Sequence, residues 1–357
     1  MDTRLLIENV LIPAIKVGVV LGVMSGAIAY TTLLERKVLG FIQLRLAPRR
    51  VGFHGILQPI ADGIKLLLKE DIIPDRADRA LFILAPVISV IPAFAALAVI
   101  PFAGHSFEMF GHKITPWITD VNIGILYILS ISSLGVYGIM LGGWASNSKY
   151  PLLGSLRSAA QMVSYEVPLG LAIIGPLMMA GTASMTGIVR AQERLGMWFV
   201  FPQIVGLFCY FVSGIAETNR LPFDLPEAEA ELVAGYQTEY SGMKFAFFYL
   251  AEYTNMVVVS AIATTLWLGG WLRPFPNVEA LSFLNFLDFI SPALSGVFWF
   301  AFKVFAVLYL YIWIRGTFPR YRYDQLMNLG WKWLLPISLA NVVVTALVLV
   351  LKQRAGG

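Results

Sequence analysis

Eight stretches of mostly apolar residues recur along the chain, each about the 20 residues that a helix needs to cross a bilayer core. They lie near 10–34, 80–103, 121–143, 160–182, 198–216, 244–268, 295–314 and 333–351. In hydrocarbon every backbone amide and carbonyl has to be satisfied within its own segment, so each stretch reads as a helix. With 58% hydrophobic residues, 13% charged residues and a mean hydropathy of +0.73, no ordinary soluble domain fits the chain. The expectation is an all-α polytopic membrane protein in a single domain over 1–357. It has eight transmembrane helices, a cytoplasmic-side amphipathic helix at 54–70, and an acidic loop at 217–243 between spans five and six.

The basic residues orient this bundle. Loops following spans one, three, five and seven hold 17 Lys and Arg, and the opposite side with both termini holds 8, while Lys303 lies inside a span. The richer side belongs in the cytoplasm, so both termini face outward, periplasmic in a bacterial inner membrane. Met1 to Pro13 offers too little uninterrupted apolar length for a cleavable signal. The net charge of +4 follows from the loop asymmetry and implies no nucleic-acid partner. Cys209 is the single cysteine and sits in an apolar stretch, and His54, His105 and His112 fall in loops. The chain is therefore expected to hold no metal, haem or iron-sulfur cluster, nor a flavin, and a different protein of the same assembly would carry any electrons.

Acidic residues are scarce and concentrated. Between Glu217 and Glu239 stand six acids (Glu217, Asp224, Glu227, Glu229, Glu231, Glu239) against one base, Arg220, in a chain with only 22 acids. Asp224 and Pro226 ahead of the glutamates read as a helix start, with carboxylates at the positive end of the dipole. Crowded carboxylates share protons, so such a cluster can exchange one when a nearby charge appears; a solvated acidic loop is the plain alternative. Inside the spans lie Tyr165 and Glu166 in SYEVPLG, Glu252 in YLAEYTN, and Lys303 in WFAFKVFAV. Each ionised group at bilayer depth costs about 2.5–3.5 kcal/mol on insertion scales. With Glu217 they put ionisable groups on four helices, the pattern of a polar track for protons or ions.

The rest of the chain frames this track. The first span carries Gly18, Gly22 and Gly26, a small-residue face that admits another helix closely. It ends in LLERKVLGFIQLR, placing Glu35, Arg36 and Lys37 at the membrane boundary and Arg45 beyond. In HGILQPIADGIKLLLKED, Ile56, Ile60, Ile64 and Leu68 repeat every four residues, as in a helix lying in the interface plane. Asp62 in that helix gains nothing from anionic headgroups and is expected to face a partner or a cavity. The loop with Arg315, Arg320 and Arg322 among Tyr321, Tyr323 and Trp331 reads as an interface belt. No inverted repeat and no phosphate, metal or serine-hydrolase motif is present in the sequence.

The strings ERKVLGFIQLR, LQPIADGIKLLLKEDIIP, SYEVPLG, ETNRLPFDLPEAEAELVAGY, TEYSGMKFAFFYLAEY and RGTFPRYRYDQLM occur in this order. Together they resemble the NuoH-type membrane subunit of the proton-pumping NADH:quinone oxidoreductase, respiratory complex I, over about Glu35 to Lys332. The sequence departs from the family pattern in RLAPRRVG, where a glycine and an asparagine are usual at Ala47 and Arg49. The resemblance implies a subunit that anchors the hydrophilic redox arm and lines part of a quinone tunnel. Glu35, Arg36, Arg45 and Asp62 would line the tunnel or its entrance, with Phe223 and Asp224 further in. Glu217, Arg220, Glu227, Glu229 and Glu231 would form the charged region beneath, and Tyr165, Glu166, Glu252 and Lys303 would continue toward the antiporter-like subunits. Implied partners are the hydrophilic quinone-site and iron-sulfur subunits, the small and antiporter-like membrane subunits, and membrane lipid; the substrate would be ubiquinone or menaquinone. A related hydrogenase anchor, a stand-alone secondary transporter and a purely structural scaffold are the alternatives.

Overall fold

The computed structural model describes residues 10–109, 112–225, 234–274 and 291–355. In chain order its helices are α1 (Ile12–Ile42), α2 (Gln58–Leu68), α3 (Arg79–Ala96), α4 (Gly124–Ala145), α5 (Lys149–Ala180) and α6 (Met185–Leu195). They continue with α7 (Ile204–Glu217), α8 (Gly242–Trp267), α9 (Pro292–Thr317), α10 (Tyr323–Asn328) and α11 (Leu335–Ala355). A π turn over Leu329–Leu334 joins the last two. Between α3 and α4 a short antiparallel hairpin pairs β1 (Phe107–Met109) with β2 (His112–Ile114), Phe107 opposite Ile114. This hairpin is the one pair of strands among the described residues.

Among the described residues seven helices are long and apolar enough to span a membrane, which makes this a multi-pass membrane protein. The eighth expected span, 198–216, condenses into α7, only 14 residues. At 1.5 Å per residue α7 reaches about 21 Å, short of a hydrocarbon core of about 30 Å. Its start is delayed because residues 199–202 form turns around Pro202 and Gln203 takes the cap. By contrast, α5 runs for 32 residues from Lys149, well before the expected start at 160, because its first turns are helical but polar. An unexpected helix, α6, is amphipathic; the Ser184 hydroxyl caps it by accepting from Gly187 N, and Gly196 at φ 62 ends it.

Packing explains the order of burial. From Met256 to Trp267 every residue of α8 is buried, so this half of the helix is enclosed on all sides at the centre of the bundle, with the Ser260, Thr264 and Thr265 hydroxyls donating back to carbonyls of the helix itself. Around it the core gathers Tyr165, Tyr210 and Phe199, which pack with its own Leu266 and Trp267. Helix α1 is the opposite case: its buried residues, Ile28, Thr31, Leu33, Glu35, Val38 and Gly40, all lie in its second half. A Cβ built on Gly18, Gly22 or Gly26 would meet nothing within 4 Å, so no described helix of this chain uses that small-residue face.

Successive long helices alternate in direction and give the bundle two ends. At the hairpin end, Lys16 Nζ donates to Thr115 Oγ1 at 2.7 Å, and Ser184 and Thr186 donate to the Asp120 carboxylate at 2.9 and 2.5 Å. At the other end, the charged end, the Arg79 start of α3 meets the tail of α4, with Asp78 N donating to Ala145 O at 3.1 Å. Helix α2 lies at this charged end, covers Gln58–Leu68 rather than the full 54–70, and buries no residue; Ile60, Ile64, Leu67 and Leu68 are exposed. It starts late because the chain first makes a tight turn, where Gly55 at φ 81 passes so close to Pro48 O that a Cβ would sit 2.3 Å away.

Candidate functional site

Helix α1 turns one stripe toward the bundle, Ile28, Thr31, Glu35 and Val38, at the three- and four-residue spacing of a helix face. A carboxylate on that stripe is costly to bury unless it is paired, and Glu35, 4% exposed, is met from three sides. Tyr253 on α8 donates its hydroxyl to Oε2 at 2.5 Å, Arg220 Nη1 stands 3.4 Å from Oε1, and Arg315 at the end of α9 contacts the same oxygen. Arg220 reaches inward because the chain leaves α7 through Asn219 at φ 51 and folds back, with Arg220 N donating to Ile215 O. Its Nε forms a second ion pair with Glu252 Oε1 at 2.5 Å. The guanidinium lies over the Tyr253 ring at 4.2 Å, and the Tyr249 and Tyr253 hydroxyls are 2.8 Å apart.

The result is a buried network of two carboxylates and two guanidiniums, formally neutral, drawn from four separate stretches of chain. Burial alone would make Arg220 easier to deprotonate. Glu252 beside it, with Tyr253 and Tyr249, outweighs that and raises its pKa above the usual arginine value. It therefore stays a fixed positive charge.

Flanking pairs extend this end. Arg36 Nη1 meets Asp62 Oδ2 at 2.7 Å, and Asp62 also accepts from Gln58 Nε2 at 3.2 Å. Asp62, the odd member of an interfacial helix, thus faces the end of α1. Asp224, buried, pairs with Arg320 Nη2 at 3.1 Å. Beside it the Phe223 ring packs between Tyr165, at 6.1 Å, and Tyr321, at 5.5 Å. Gln161 Nε2 ties α5 to this loop by donating to both Ala216 O and Phe223 O at 2.8 Å. Arg45, in contrast, pairs with Gln43 on an exposed turn, away from Glu35.

Deeper in the bundle, Glu166 on α5 accepts from the Ser133 hydroxyl of α4 and interacts electrostatically with Glu217 at the end of α7. Glu217 interacts in turn with Tyr210 and Tyr311. Tyr165 donates to Leu326 O at 2.8 Å, in α10. Lys303 does not join this group. Its ammonium donates to Leu268 O, Gly270 O and Leu272 O at 2.7, 2.9 and 2.5 Å and lies 4.4 Å from the Trp198 ring, at the hairpin end of α8. Sixteen residues of helix, about 24 Å, separate Leu268 from Glu252. The expected track of ionisable groups is therefore a cluster at one end plus a separate ammonium capping a helix terminus. Glu227, Glu229 and Glu231 lie outside the described residues.

Between α1 and the α8–α9 pair runs an apolar cleft of about 1030 Å³. It follows α1 from Ile12 to Lys37, and its last lining residues, Leu33, Leu34 and Lys37, flank Glu35 in the sequence of the helix. Four members of the polar group escape a reading of the sequence: Arg315, Arg320, Tyr249 and Tyr253. The two arginines stand where the positive-inside rule alone would put a base, and the tyrosines stand in an aromatic span. Their only sequence signal is the i,i+4 spacing that puts Tyr249 and Tyr253 on one face of α8. Among the described residues no group of three or more His, Cys, Asp or Glu is placed to hold a metal ion.

Comparison with known proteins decides the family. A family model described as NADH dehydrogenase matches residues 15–346. The chain is 52% identical to a NuoH-type subunit of NADH-quinone oxidoreductase from Koribacter versatilis, over 96% of this chain and 98% of that one. The corresponding protein of Rickettsia prowazekii is 53% identical, over 90% and 89%, and one from Geobacter metallireducens is 50% identical, over 94% of each. The chain belongs to the NuoH family. As a NuoH protein it is one membrane component of NADH-quinone oxidoreductase, an electron-transporting enzyme complex, and the other components of that complex are its partners. The matched region takes in every residue of the buried network, from Glu35 on α1 to Arg315 on α9.

Proposed function

We propose that this chain forms the membrane part of a quinone passage in NADH:quinone oxidoreductase and couples quinone reduction to proton translocation. The observation that carries the reading is the neutral network of Glu35, Arg220, Glu252 and Arg315, with Tyr253, at the end of an apolar cleft. A quinone has an apolar tail and a polar headgroup, so it needs a greasy approach and a polar chamber in that order. The eighth crossing is α7 together with the turns before it, and α2 lies in the interface plane with its exposed isoleucines toward lipid. In a bacterial inner membrane the charged end faces the cytoplasm and both termini the periplasm. The hydrophilic quinone-site and iron-sulfur subunits then dock at the charged end, and the antiporter-like subunits receive the coupled protons.

Reduction of ubiquinone or menaquinone to quinol consumes two protons, and an anionic intermediate favours proton uptake by neighbouring carboxylates. Glu35, Arg36, Asp62, Phe223 and Asp224 border the passage, while Glu217, Glu166 and Glu252 relay the change of charge, with Glu227, Glu229 and Glu231 contributing from the same loop. Arg220 holds two of these carboxylates in place and does not itself titrate. The test is Glu217→Gln in the intact complex reconstituted in vesicles. Quinone turnover and proton translocation should fall together, while NADH oxidation by a soluble artificial acceptor is kept. Translocation per electron that survives unaltered would remove Glu217 from the coupling.

A further inference from the structure

We infer that the cleft between α1 and the α8–α9 pair is a binding site for an anionic phospholipid, with its acyl chains along the cleft and its phosphate at Lys16. Helix α1 is fastened at its two ends, by Lys16 to Thr115 at 2.7 Å and by the Glu35 network at the other end. In between its small residues touch nothing, and a space of about 1030 Å³ separates it from Val297, Ala301, Val304 and Phe305 on α9. The cleft is open-sided, since Val19, Val23 and Phe305 of its lining are exposed, and a wall so nearly free of polar groups does not hold water in place. Hydrocarbon is what remains to fill it.

Three observations select the hydrocarbon. The cleft follows α1 from Ile12 to Lys37, 25 residues or about 38 Å, and its wall is almost wholly aliphatic and aromatic. Extended polymethylene chains fit such a long apolar strip, and a helix of a neighbouring protein is the competing occupant that the cross-linking below tests. The charged and titratable residues among the described lining include Lys16, Lys37 and His112, with no Asp or Glu, which favours an anion over a zwitterion. Finally, an ammonium carries three donors and Thr115 takes one from Lys16, leaving the rest for a phosphate at the depth where a lysine snorkels. The lipid wedges α1 at its spacing from the bundle, and this holds whether or not the cleft also admits quinone at its Lys37 end.

The test uses the intact complex in nanodiscs of phosphatidylcholine with phosphatidylglycerol, the latter carrying a photoactivatable diazirine in one acyl chain. Irradiation and peptide mapping should place the label on α1 near Val20 and Val23 and on α9 near Ala301. Lys16→Met should lower that labelling about five-fold, as one lysine near an anionic headgroup warrants, and Lys16→Arg should restore it. A phosphatidylcholine probe should label the same peptides weakly and be indifferent to Lys16. Equal labelling in Lys16→Met and the unaltered complex overturns the site, as does labelling of these peptides by a photoactive quinone that phosphatidylglycerol fails to displace. Cross-linking of Val23 to a helix of a neighbouring protein in the complex overturns it as well.

Discussion

Glu35 decides how the charged end holds together, because it is the carboxylate on which Arg220, Arg315 and Tyr253 converge. Removing one member of a buried ion pair leaves an uncompensated charge and costs about 3–5 kcal/mol. Arg220→Ala removes the ion pair of Glu252 and one of the two arginines on Glu35, leaving the network one positive charge short, so it should abolish assembly of this chain, measured as its absence from complexes separated on native gels. Tyr253→Phe is milder: it keeps the ring under the guanidinium and deletes the hydrogen bond to Glu35, a loss of about 1.5–3 kcal/mol, together with the weaker one to the Tyr249 hydroxyl. The complex should assemble with a lower melting temperature and slower quinone turnover. The sign of the pH effect also follows. With its pKa raised by Glu252, Arg220 contributes stability that is fully present below the ordinary arginine value and lost only above it. No change in stability between pH 6 and 9 should trace to Arg220, and Arg220→Lys should leave the shape of the pH–stability curve in that range unchanged.

Among the elements, α8 connects two different chemistries: the Glu252 network in its first half and, just past its C-terminus, the Lys303 ammonium on the carbonyls of Leu268, Gly270 and Leu272. A helix C-terminus leaves carbonyls unpaired and carries partial negative charge, so a lysine from α9 satisfies both needs. Lys303→Met should therefore lower the melting temperature of the complex while quinone turnover per assembled particle stays near normal; a loss of proton pumping at unchanged stability would return Lys303 to the proton path. The sequence exposes such features unevenly. The long apolar helices are legible because hydropathy reports what lipid demands, and Glu166, Glu217 and Glu252 are legible because acid at bilayer depth is rare. The start of α5 is hidden by Lys149 and Arg157, which count against a span although they sit comfortably in a helix that outruns the membrane. The short amphipathic α6 gives no apolar signal at all. Lys303 is visible as an anomaly, but only the fold shows the three carbonyls that receive it.

At the scale of the whole molecule, one asymmetry organises everything else: basic loops, the acidic stretch and the buried network share one end, and the hairpin with α6 caps the other. The positive-inside rule turns this asymmetry into an orientation, and the chain is well suited to test it. Its one cysteine, Cys209, is fully buried in α7 and gives little background with thiol reagents. Arg190 on α6 is exposed at the hairpin end, and Lys69 is exposed just after α2 at the charged end. With a membrane-impermeant maleimide, Arg190→Cys should label in cells whose outer membrane has been permeabilised, and Lys69→Cys only in inverted inner-membrane vesicles stripped of the hydrophilic arm. The reverse pattern would place the Glu35 network on the outward side. In the proposed function electrons from NADH arrive from the cytoplasmic side, so a network facing outward could not meet the quinone they reduce, and the coupling role proposed for Glu217 and Glu252 would fall with the orientation.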